Sequence, residues 1–431
     1  MKKVVIIGGG FAGMRAAKTL SSAPVSVTVV DRKNHHTFQP LLYQVATATL
    51  SPADIAQPIR AILQKQANTT VLMDEVLSID PEKRLVHLKN EDVLQFDYLI
   101  LATGATHSYF GHHEWERYAP GLKTIEDALR IRGRTFSAFE EAERDMVRTN
   151  THKPLNFVVI GGGPTGVEVA GALADTCHVY LRDEFRHIDT TKARVILLEA
   201  MPKVLGPYPE DLSASAIKQL KDCGVEVMTN TQVTDVQDSY VMTSGGRIDA
   251  AVIIWAAGVQ ASPLGKSLGF PVDKRGCVIV DEFLNPPHHP EIFVCGDLAH
   301  LELDGRLLPG VAQTAMQMGV YAAEQIVRDL ANQPRKPFRY FDKGDMATIG
   351  RMRAVANIKW PFNAHARGVL AWLSWLIIHI FFLIGLRNRF LVFCQWLWTF
   401  TTCQRGAQLI TETEIVCDHD PELVDEAPPP R

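Results

Sequence analysis

A short run of β-branched residues followed by G-x-G-x-x-G occurs twice in this chain, at residues 4–13 and at residues 157–166. The first glycine of this pattern permits a tight strand-to-helix turn, and the second lets a pyrophosphate approach the backbone. The third lets the helix pack on the strand, and the helix N-terminus offers free N–H groups to the anion. Helix-forming residues follow each copy, at 14–20 and 167–174. Two copies predict two dinucleotide-binding βαβ units and therefore an α/β fold.

Each copy leads to a second β-rich run that ends in an acid. Residues 27–30 precede Asp31, and residues 195–198 precede Glu199. A carboxylate at this point accepts hydrogen bonds from a ribose diol. The second copy carries extra residues before its acid, and we expect this surplus, 176–194, to form a helical insertion. Glu199 is still the expected ribose contact of the second unit.

Further strand-and-turn segments predict that the second unit is inserted into the first. Residues 98–104 close the first unit, 251–258 close the second, and 292–297 return as a strand with an acid at its end. Residues 340–360 are predicted to form a closing β-segment. The predicted domains are 1–115 and 263–361 for the two parts of the first Rossmann-like domain, 116–262 for the second and 362–410 for C-terminal helices. The acidic, proline-rich tail at 411–431 is predicted to be disordered.

Composition excludes several classes of protein. The chain has 44 Lys and Arg against 48 Asp and Glu, which excludes a generally basic nucleic-acid binder. Its seven cysteines form no C-x-x-C pair, so we predict neither a disulfide framework nor structural zinc. The paired histidines at 35–36, 112–113 and 288–289 lack helical spacing and nearby acid or thiol partners, and no metal site is predicted. The apolar run at 4–7 is too short for a secretory signal, which predicts a cytoplasmic protein.

The C-terminal region has an unusual charge balance. Residues 346–410 contain no Asp or Glu, yet they hold seven basic residues and five of the seven tryptophans. Residues 368–386 form a charge-free run of 19, long enough in principle to span a bilayer, whereas 390–403 are too few to return. Arginines beside tryptophans are typical of helices that lie in a membrane interface. We expect interfacial helices; a membrane span and a buried or dimer contact are the alternatives.

These motifs together resemble the flavoproteins with two dinucleotide-binding domains, the family that includes disulfide reductases. Within it, the chain is most similar to type II NADH dehydrogenase, the single-chain NADH:quinone oxidoreductase. The resemblance spans Met1 to about Ile410 and departs at Met318, where many members have a further Gln. The segments that carry it are 38–47, 163–168, the A-Q-x-A-x-Q element at 312–317, and 371–375 continuing through 387–389 to 405–407.

The resemblance implies non-covalent FAD in the first unit and NADH as the substrate of the second. It assigns FAD binding to Gly8, Gly9, Gly10, Phe11, Ala12, Gly13, Asp31, Arg32, Thr103, Gly104, Asp297 and Ala315. It assigns NADH binding to Gly161, Gly162, Gly163, Pro164, Thr165, Gly166, Glu199, Ala257 and Gly258.

The residues expected beside the flavin limit which electron acceptor the protein can use. Disulfide reductases carry a C-x-x-x-x-C pair there, but residues 38–50 contain no cysteine. Electrons must therefore pass directly to an acceptor, and the resemblance implies a membrane quinone. Cys295, the nearest thiol for a sulfide:quinone-like enzyme, is expected to be an inert core residue. A sulfide:quinone-like enzyme and a redox-sensing NADH-binding flavoprotein are the alternatives.

Three residues are predicted to be catalytic. Gln313 and Gln317 are four apart in a predicted helix at 309–325, so both amides could donate to one quinone headgroup; two exposed surface amides are the alternative. Thr165-x-x-Glu168 is typical of a helix capping box. The resemblance implies a second role for Glu168, between nicotinamide and quinone, in proton delivery.

These inferences predict a non-proton-pumping NADH:quinone oxidoreductase, in which NADH gives a hydride to FAD and a membrane quinone receives two electrons. The enzyme is expected to be a peripheral protein of the cytoplasmic face of the inner membrane, attached through residues 362–410. A homodimer contact through the same region is a further predicted partner, and no nucleic acid is expected.

Overall fold

The computed structural model describes residues 1–410, so Cys417 and the tail predicted at 411–431 lie outside the described residues. A first sheet contains five parallel strands in the order Ile292–Val294, Tyr98–Leu101, Lys2–Ile7, Val25–Asp31 and Thr69–Met73. Lys2–Ile7 is central and its last four residues are buried, as expected for a strand covered on both faces. Because the strand at 292–294 pairs with the one at 98–101, the intervening chain forms an insertion.

The second sheet repeats this plan within the insertion. Its four parallel strands run in the order Val225–Met228, Arg194–Leu198, Asn156–Ile160 and Val252–Trp255. Each unit also carries a three-stranded antiparallel meander. The meanders are Val76–Asp80, Leu85–Leu88 and Val93–Gln95 in the first unit, and Val233–Gln237, Tyr240–Thr243 and Gly246–Asp249 in the second.

The helices pack around these sheets. We refer to Phe11–Thr19 as the first glycine-rich helix, to Pro164–Asp175 as the second and to Ala312–Leu330 as the glutamine helix. The remaining α-helices are Leu42–Ala46, Pro52–Ile55, Ile59–Leu63, Ile125–Thr149, Glu210–Asp222, Leu264–Ser267, Gly368–Phe382 and Leu386–Thr402.

The predicted closing β-segment is a three-stranded antiparallel sheet. Its strands are Gly344–Thr348, Ala354–Ile358 and Ala364–Arg367. The first strand packs on the second glycine-rich helix, and the middle strand packs on Gly368–Phe382. The sheet therefore connects the C-terminal helices to the second nucleotide-binding unit.

The helical insertion predicted for 176–194 is wrong for most of its length. Only one π-helical turn, Thr176–Tyr180, and one 3-10 turn, Thr190–Lys192, are helical. Between them, the backbone N–H groups at positions 186–188 donate to the carboxylate of Glu143 on the neighbouring long helix. These bonds replace the ones that a helix would make.

The charge-free run at 368–386 is not one helix. The helix Gly368–Phe382 ends before Gly385, whose φ is +88°, and Leu386–Thr402 begins after it. This positive φ favours glycine, and a Cβ on Gly385 would also displace the end of the Gln57 side chain, whose nitrogen would be 2.7 Å away. Among residues 1–410, no helix is both long enough and apolar enough to cross a bilayer.

Candidate functional site

A cavity of about 690 Å³ opens at the carboxyl end of the first sheet. This volume lies within the usual range for cofactor sites, about 300–1,000 Å³. Both nucleotide-binding units contribute to the wall, because Thr165 and Glu168 of the second glycine-rich helix line it together with Leu42 and Tyr43. The residues predicted to bind FAD that line the cavity are Gly8, Gly9, Gly10, Phe11, Ala12, Asp31, Arg32, Thr103, Gly104, Asp297 and Ala315.

Gly13, the remaining residue of that prediction, lies behind the cavity wall. A Cβ on Gly13 would overlap the carbonyl oxygen of Gly8, so the helix can approach the turn only without a side chain here. Gly8 itself has a φ of +103°, which favours glycine. A Cβ on Gly10, by contrast, would meet nothing within 4 Å. The third glycine thus serves packing, and the second leaves open space for a ligand.

The second glycine turn has the same geometry. A Cβ on Gly166 would overlap the Gly161 carbonyl oxygen, and one on Gly163 would meet nothing within 4 Å. A Cβ on Gly161 would lie 2.7 Å from the backbone nitrogen of Ala257, so this turn directly meets the segment that leads to Gly258. The predicted NADH-binding residues therefore gather at the carboxyl end of the second sheet.

The two acids occupy matching positions. Asp31 accepts from the backbone nitrogens of Gly9, at 2.6 Å, and Lys33, at 2.7 Å. Glu199 likewise accepts from Gly162, at 2.6 Å, and from the residue two positions further on, Met201, at 2.7 Å. Glu199 thus takes the position of Asp31 despite the longer chain before it.

The first cavity fits the chemistry of FAD. The first glycine-rich helix begins at the cavity and has no acidic residue in its first turn, so its positive end faces the opening. Arg32 and Lys123 also line the cavity and supply positive charge. These groups suit a pyrophosphate, and Asp31 suits the hydroxyls of a ribose. Asp297, paired with Lys123 at 3.7 Å, adds a second acid across the cavity.

Glu168 is not part of a capping box, and that prediction is wrong. Gly163 is the N-cap and Pro164 is the first helical residue, so Thr165 lies inside the helix and caps nothing. Glu168 is placed one turn further along, where it faces the first cavity. Burial there raises the pKa of its carboxyl to about 8, although the backbone N–H of Thr348 donates to it.

Tyr43 and Thr348 are site residues that the sequence did not single out. Tyr43 lines the cavity beside Glu168, and its hydroxyl lies 2.9 Å from the Thr348 hydroxyl. Burial raises the pKa of Tyr43, and the Glu168 charge raises it further, so the phenol keeps its proton. Its place in the segment 38–47 was the only sequence signal for Tyr43, and Thr348 had none.

Gln313 and Gln317 share one face of the glutamine helix, as predicted. Gln313 donates to the carbonyl of Gly344 at 3.0 Å, and Gln317 donates to the carbonyl of Phe341 at 3.0 Å. The Gln317 oxygen also accepts from the Phe341 nitrogen at 2.9 Å. Each amide uses one of its two N–H groups for these bonds, which fix the segment 341–344 to the helix. A role in quinone binding stays a prediction.

The thiol chemistry of the site matches the expectation for an inert core cysteine. Cys295 has no exposed surface and points its thiol at the carbonyl of Met318, 3.6 Å away. Burial raises the pKa of this thiol, which disfavours the reactive thiolate. Within residues 1–410 every cysteine is unpaired, and no group of His, Cys, Asp or Glu could hold a metal ion.

Comparisons with known proteins identify the family. The family model described as pyridine nucleotide-disulphide oxidoreductase matches residues 2–319, and the model described as NDH2 C-terminal domain matches residues 343–403. The type II NADH:quinone oxidoreductase Ndh of Mycobacterium tuberculosis is 44% identical over 427 residues, covering 96% of this chain and 91% of the relative. The chain belongs to the type II NADH:quinone oxidoreductase family.

One further relative and two solved structures are also similar to this chain, and the two structures show its fold. The second type II NADH:quinone oxidoreductase of M. tuberculosis, NdhA, is 45% identical over 433 residues, covering 96% of this chain and 90% of the relative. The structure of NDH2 from Plasmodium falciparum in complex with NADH has a TM-score of 0.84 at 21% identity, covering 95% and 100% of the two chains. The sulfide:quinone oxidoreductase of Aquifex aeolicus has a TM-score of 0.73 at 19% identity, covering 93% and 96%, and shares the fold.

Membership confirms the predicted α/β fold, enzyme class and cofactor. As a type II NADH:quinone oxidoreductase, this chain is a flavoprotein that uses FAD, takes NADH as its substrate and passes electrons to a quinone.

Proposed function

We propose that FAD occupies the 690 Å³ cavity, that NADH binds at the second glycine turn, and that quinone is reduced at the end of the cavity bordered by Glu168 and Tyr43. One observation carries this arrangement. The second glycine-rich helix begins at the predicted NADH site, yet its Glu168 side chain lines the first cavity. A single helix therefore borders both sites, which brings the two nucleotides and the acceptor together.

Glu168 is the proposed proton donor to the quinone. Reduction of a quinone to a quinol by NADH consumes one hydride and one further proton, and releases NAD⁺. The chemistry that FAD supplies when bound is the transfer of two electrons from that hydride to the quinone. With a pKa of about 8, the Glu168 carboxyl holds its proton near pH 7 and can donate it to a quinone oxygen, to be replaced from solvent. The Thr348 N–H orients the carboxyl.

Gln313 and Gln317 do not line the cavity, although Ala312 and Ala315 of the same helix do, so in this proposal they lie next to the quinone site and keep a second N–H group each for the acceptor. Their bonds to the segment 341–344 also hold the start of the strand Gly344–Thr348, which ends beside Glu168. The pair therefore supports the site even where it does not touch the acceptor.

Glu168→Gln is expected to slow the quinone step about tenfold, because an amide is a poor proton donor to a developing quinol oxygen. Bleaching of the flavin absorbance by NADH should stay near the wild-type rate. The wild-type quinone step should slow as pH rises through about 8, since the carboxyl loses its proton there, and the Gln variant should lose this decline. Stopped-flow absorbance measures both half-reactions across pH.

Glu168→Asp is the matched variant, because it keeps a titratable carboxyl on a shorter side chain. It should retain a pH-dependent quinone step. An unchanged pH profile in Glu168→Gln would show that another group supplies the proton.

Coenzyme choice tests the second site. Glu199 should bind the 2′- and 3′-hydroxyls of NADH and repel the 2′-phosphate of NADPH. Glu199→Gln should therefore lower the preference for NADH over NADPH about tenfold, measured as the ratio of kcat/KM values. Glu226→Gln is the control, because it removes the same charge from an exposed ion pair with Arg194 on the neighbouring strand. Equal preference in Glu199→Gln and the wild type would exclude Glu199 as the ribose contact.

We propose that the two C-terminal helices attach the protein to a membrane surface. Their outward faces carry large exposed apolar side chains, and Arg387 beside them is exposed. This composition, without acids, suits an anionic leaflet, and we place the face on the cytoplasmic side of the inner membrane. The exposed apolar residues are Val369, Leu370, Leu373, Ile377, Ile378, Phe381, Leu386, Phe390, Phe393, Leu397 and Trp398.

Two further assignments accompany this one. A second copy of the chain is proposed as another partner of the same face, so that a homodimer would form through the C-terminal region. The division into 1–115 with 263–361, 116–262 and 362–410 stays the proposed domain plan; the family model of the NDH2 C-terminal domain begins earlier than its last boundary, at residue 343.

A further inference from the structure

A chain of hydrogen bonds runs from a C-terminal helix to the cavity. The indole nitrogen of Trp396, in the helix Leu386–Thr402, donates to the Gln44 side-chain oxygen at 2.7 Å. The Gln44 nitrogen donates to the Tyr43 hydroxyl at 2.9 Å, and that hydroxyl lies 2.9 Å from Thr348 Oγ1. All four residues are buried.

The chemistry of these groups gives the chain one direction. An indole N–H only donates, so the Gln44 amide must turn its oxygen to Trp396 and its NH₂ to Tyr43. The Tyr43 oxygen therefore already accepts a hydrogen bond. Its own single hydrogen must therefore point away from Gln44. It is directed to the cavity when the Thr348 hydroxyl acts as the donor in the 2.9 Å bond between the two hydroxyls, because the Tyr43 oxygen can accept from both Gln44 and Thr348.

This direction has a consequence for the acceptor. Tyr43 lines the cavity beside Glu168, and quinone carbonyls accept hydrogen bonds but cannot donate them. A Tyr43 hydroxyl that donates towards the cavity suits such a carbonyl. One that turned its hydrogen to Gln44 would present a lone pair instead and would repel the quinone oxygen.

We propose that Trp396 is a positioning residue for quinone reduction, which through Gln44 holds the Tyr43 hydroxyl as a hydrogen-bond donor to the quinone. The inference rests on the proposed function, which places the quinone at this end of the cavity. The helix Leu386–Thr402 would then have a second role besides membrane attachment, because its position orients the hydrogen-bond donor of the quinone site.

Trp396→Phe tests the inference against a closely matched control, Trp375→Phe. Both tryptophans are buried, at 2% and 1% exposure, and their rings lie 5.6 Å apart beside Tyr43. The Trp375 indole nitrogen has no hydrogen-bond partner among the described residues, so the two substitutions remove the same atoms and only one breaks a bond.

The holoenzymes are compared by stopped-flow absorbance, with NADH and then with a water-soluble short-chain ubiquinone, which removes any dependence on membranes. Trp396→Phe should slow flavin reoxidation by the quinone about three- to tenfold, and Trp375→Phe less than about twofold. Bleaching by NADH should be unchanged in both. Equal reoxidation rates in the two variants would overturn the inference, whatever their thermal stabilities.

The double variant separates positioning from packing. Tyr43→Phe should slow reoxidation by a similar factor, and Trp396→Phe should add nothing in that background, because both act through the same hydrogen atom. Additive effects would assign Trp396 a merely structural role. Should Trp396→Phe fail to hold flavin, Gln44→Met breaks the same chain and carries the same expectations.

Failure of the proposed function has a different signature. If Tyr43→Phe reoxidises at the wild-type rate, the quinone does not bind at this end of the cavity. If Tyr43→Phe is slow while Trp396→Phe matches Trp375→Phe, the quinone site stands and only the positioning role is wrong.

Discussion

Gly13→Ala is expected to prevent the protein from folding into a form that binds FAD. The added methyl group would overlap the Gly8 carbonyl oxygen, which belongs to the turn between the central strand and the first glycine-rich helix. Neither partner can yield, because both are backbone. Alanine in place of glycine normally stabilises a helix by roughly 0.5–1 kcal/mol. A lower protein stability in Gly13→Ala would therefore have to come from the clash. Overpacking typically costs about 1–3 kcal/mol and occasionally more, and a direct overlap with a backbone oxygen belongs at the upper end of that range.

The comparison variant is Gly10→Ala, three residues earlier in the same motif. Its methyl group would meet no protein atom within 4 Å, so the apoprotein should fold normally. The methyl group would instead project into the cavity and hinder the pyrophosphate. Flavin absorbance per protein and thermal unfolding without cofactor distinguish the two variants. Gly13→Ala should have a low flavin content and a lowered unfolding temperature, whereas Gly10→Ala should have only the low flavin content. Wild-type unfolding of Gly13→Ala would contradict the packing role of the third glycine.

The sequence was sufficient wherever a function depends on a local backbone pattern. Both glycine turns and their acids were predicted because consecutive segments of chain, a strand, a turn and a helix, determine them. The insertion of the second sheet followed from the order of the strand-and-turn segments along the chain. Glu199 illustrates this, since its bonds to Gly162 and Met201 reproduce those of Asp31 although the connecting chain folds differently from the prediction.

The sequence was insufficient wherever two distant segments meet. The sequence predicts that Glu168 is half of a capping box. Its side chain lines the cavity only because the second unit packs against the first. The Gln44 and Trp396 contact joins residues 352 positions apart, which no periodicity in either segment indicates. For Gln313 and Gln317 the spacing correctly gave a shared face, but not the backbone of 341–344 that occupies it.

Removal of apolar surface from the C-terminal helices should release the protein from membranes. Leu370, Ile377 and Phe390 are 73%, 69% and 67% exposed, so replacing all three with Ser should leave the core intact. Burial of one such side chain is worth about 1.5–3 kcal/mol, and tenfold in affinity corresponds to about 1.4 kcal/mol. We expect binding to anionic vesicles to fall at least about a hundredfold, measured by cosedimentation. Turnover with a short-chain quinone should persist.

The control variant removes three exposed apolar side chains from another part of the surface. Val93, Val147 and Leu307 are also exposed apolar residues, at 49%, 60% and 41%, but they lie outside the C-terminal helices, so their serine triple should bind vesicles as the wild type does. Sedimentation velocity on the same samples separates the two proposed partners of this face. A helix triple that keeps vesicle binding but loses self-association would assign the apolar surface to a dimer contact, since lipid and a second copy of the chain compete for the same side chains.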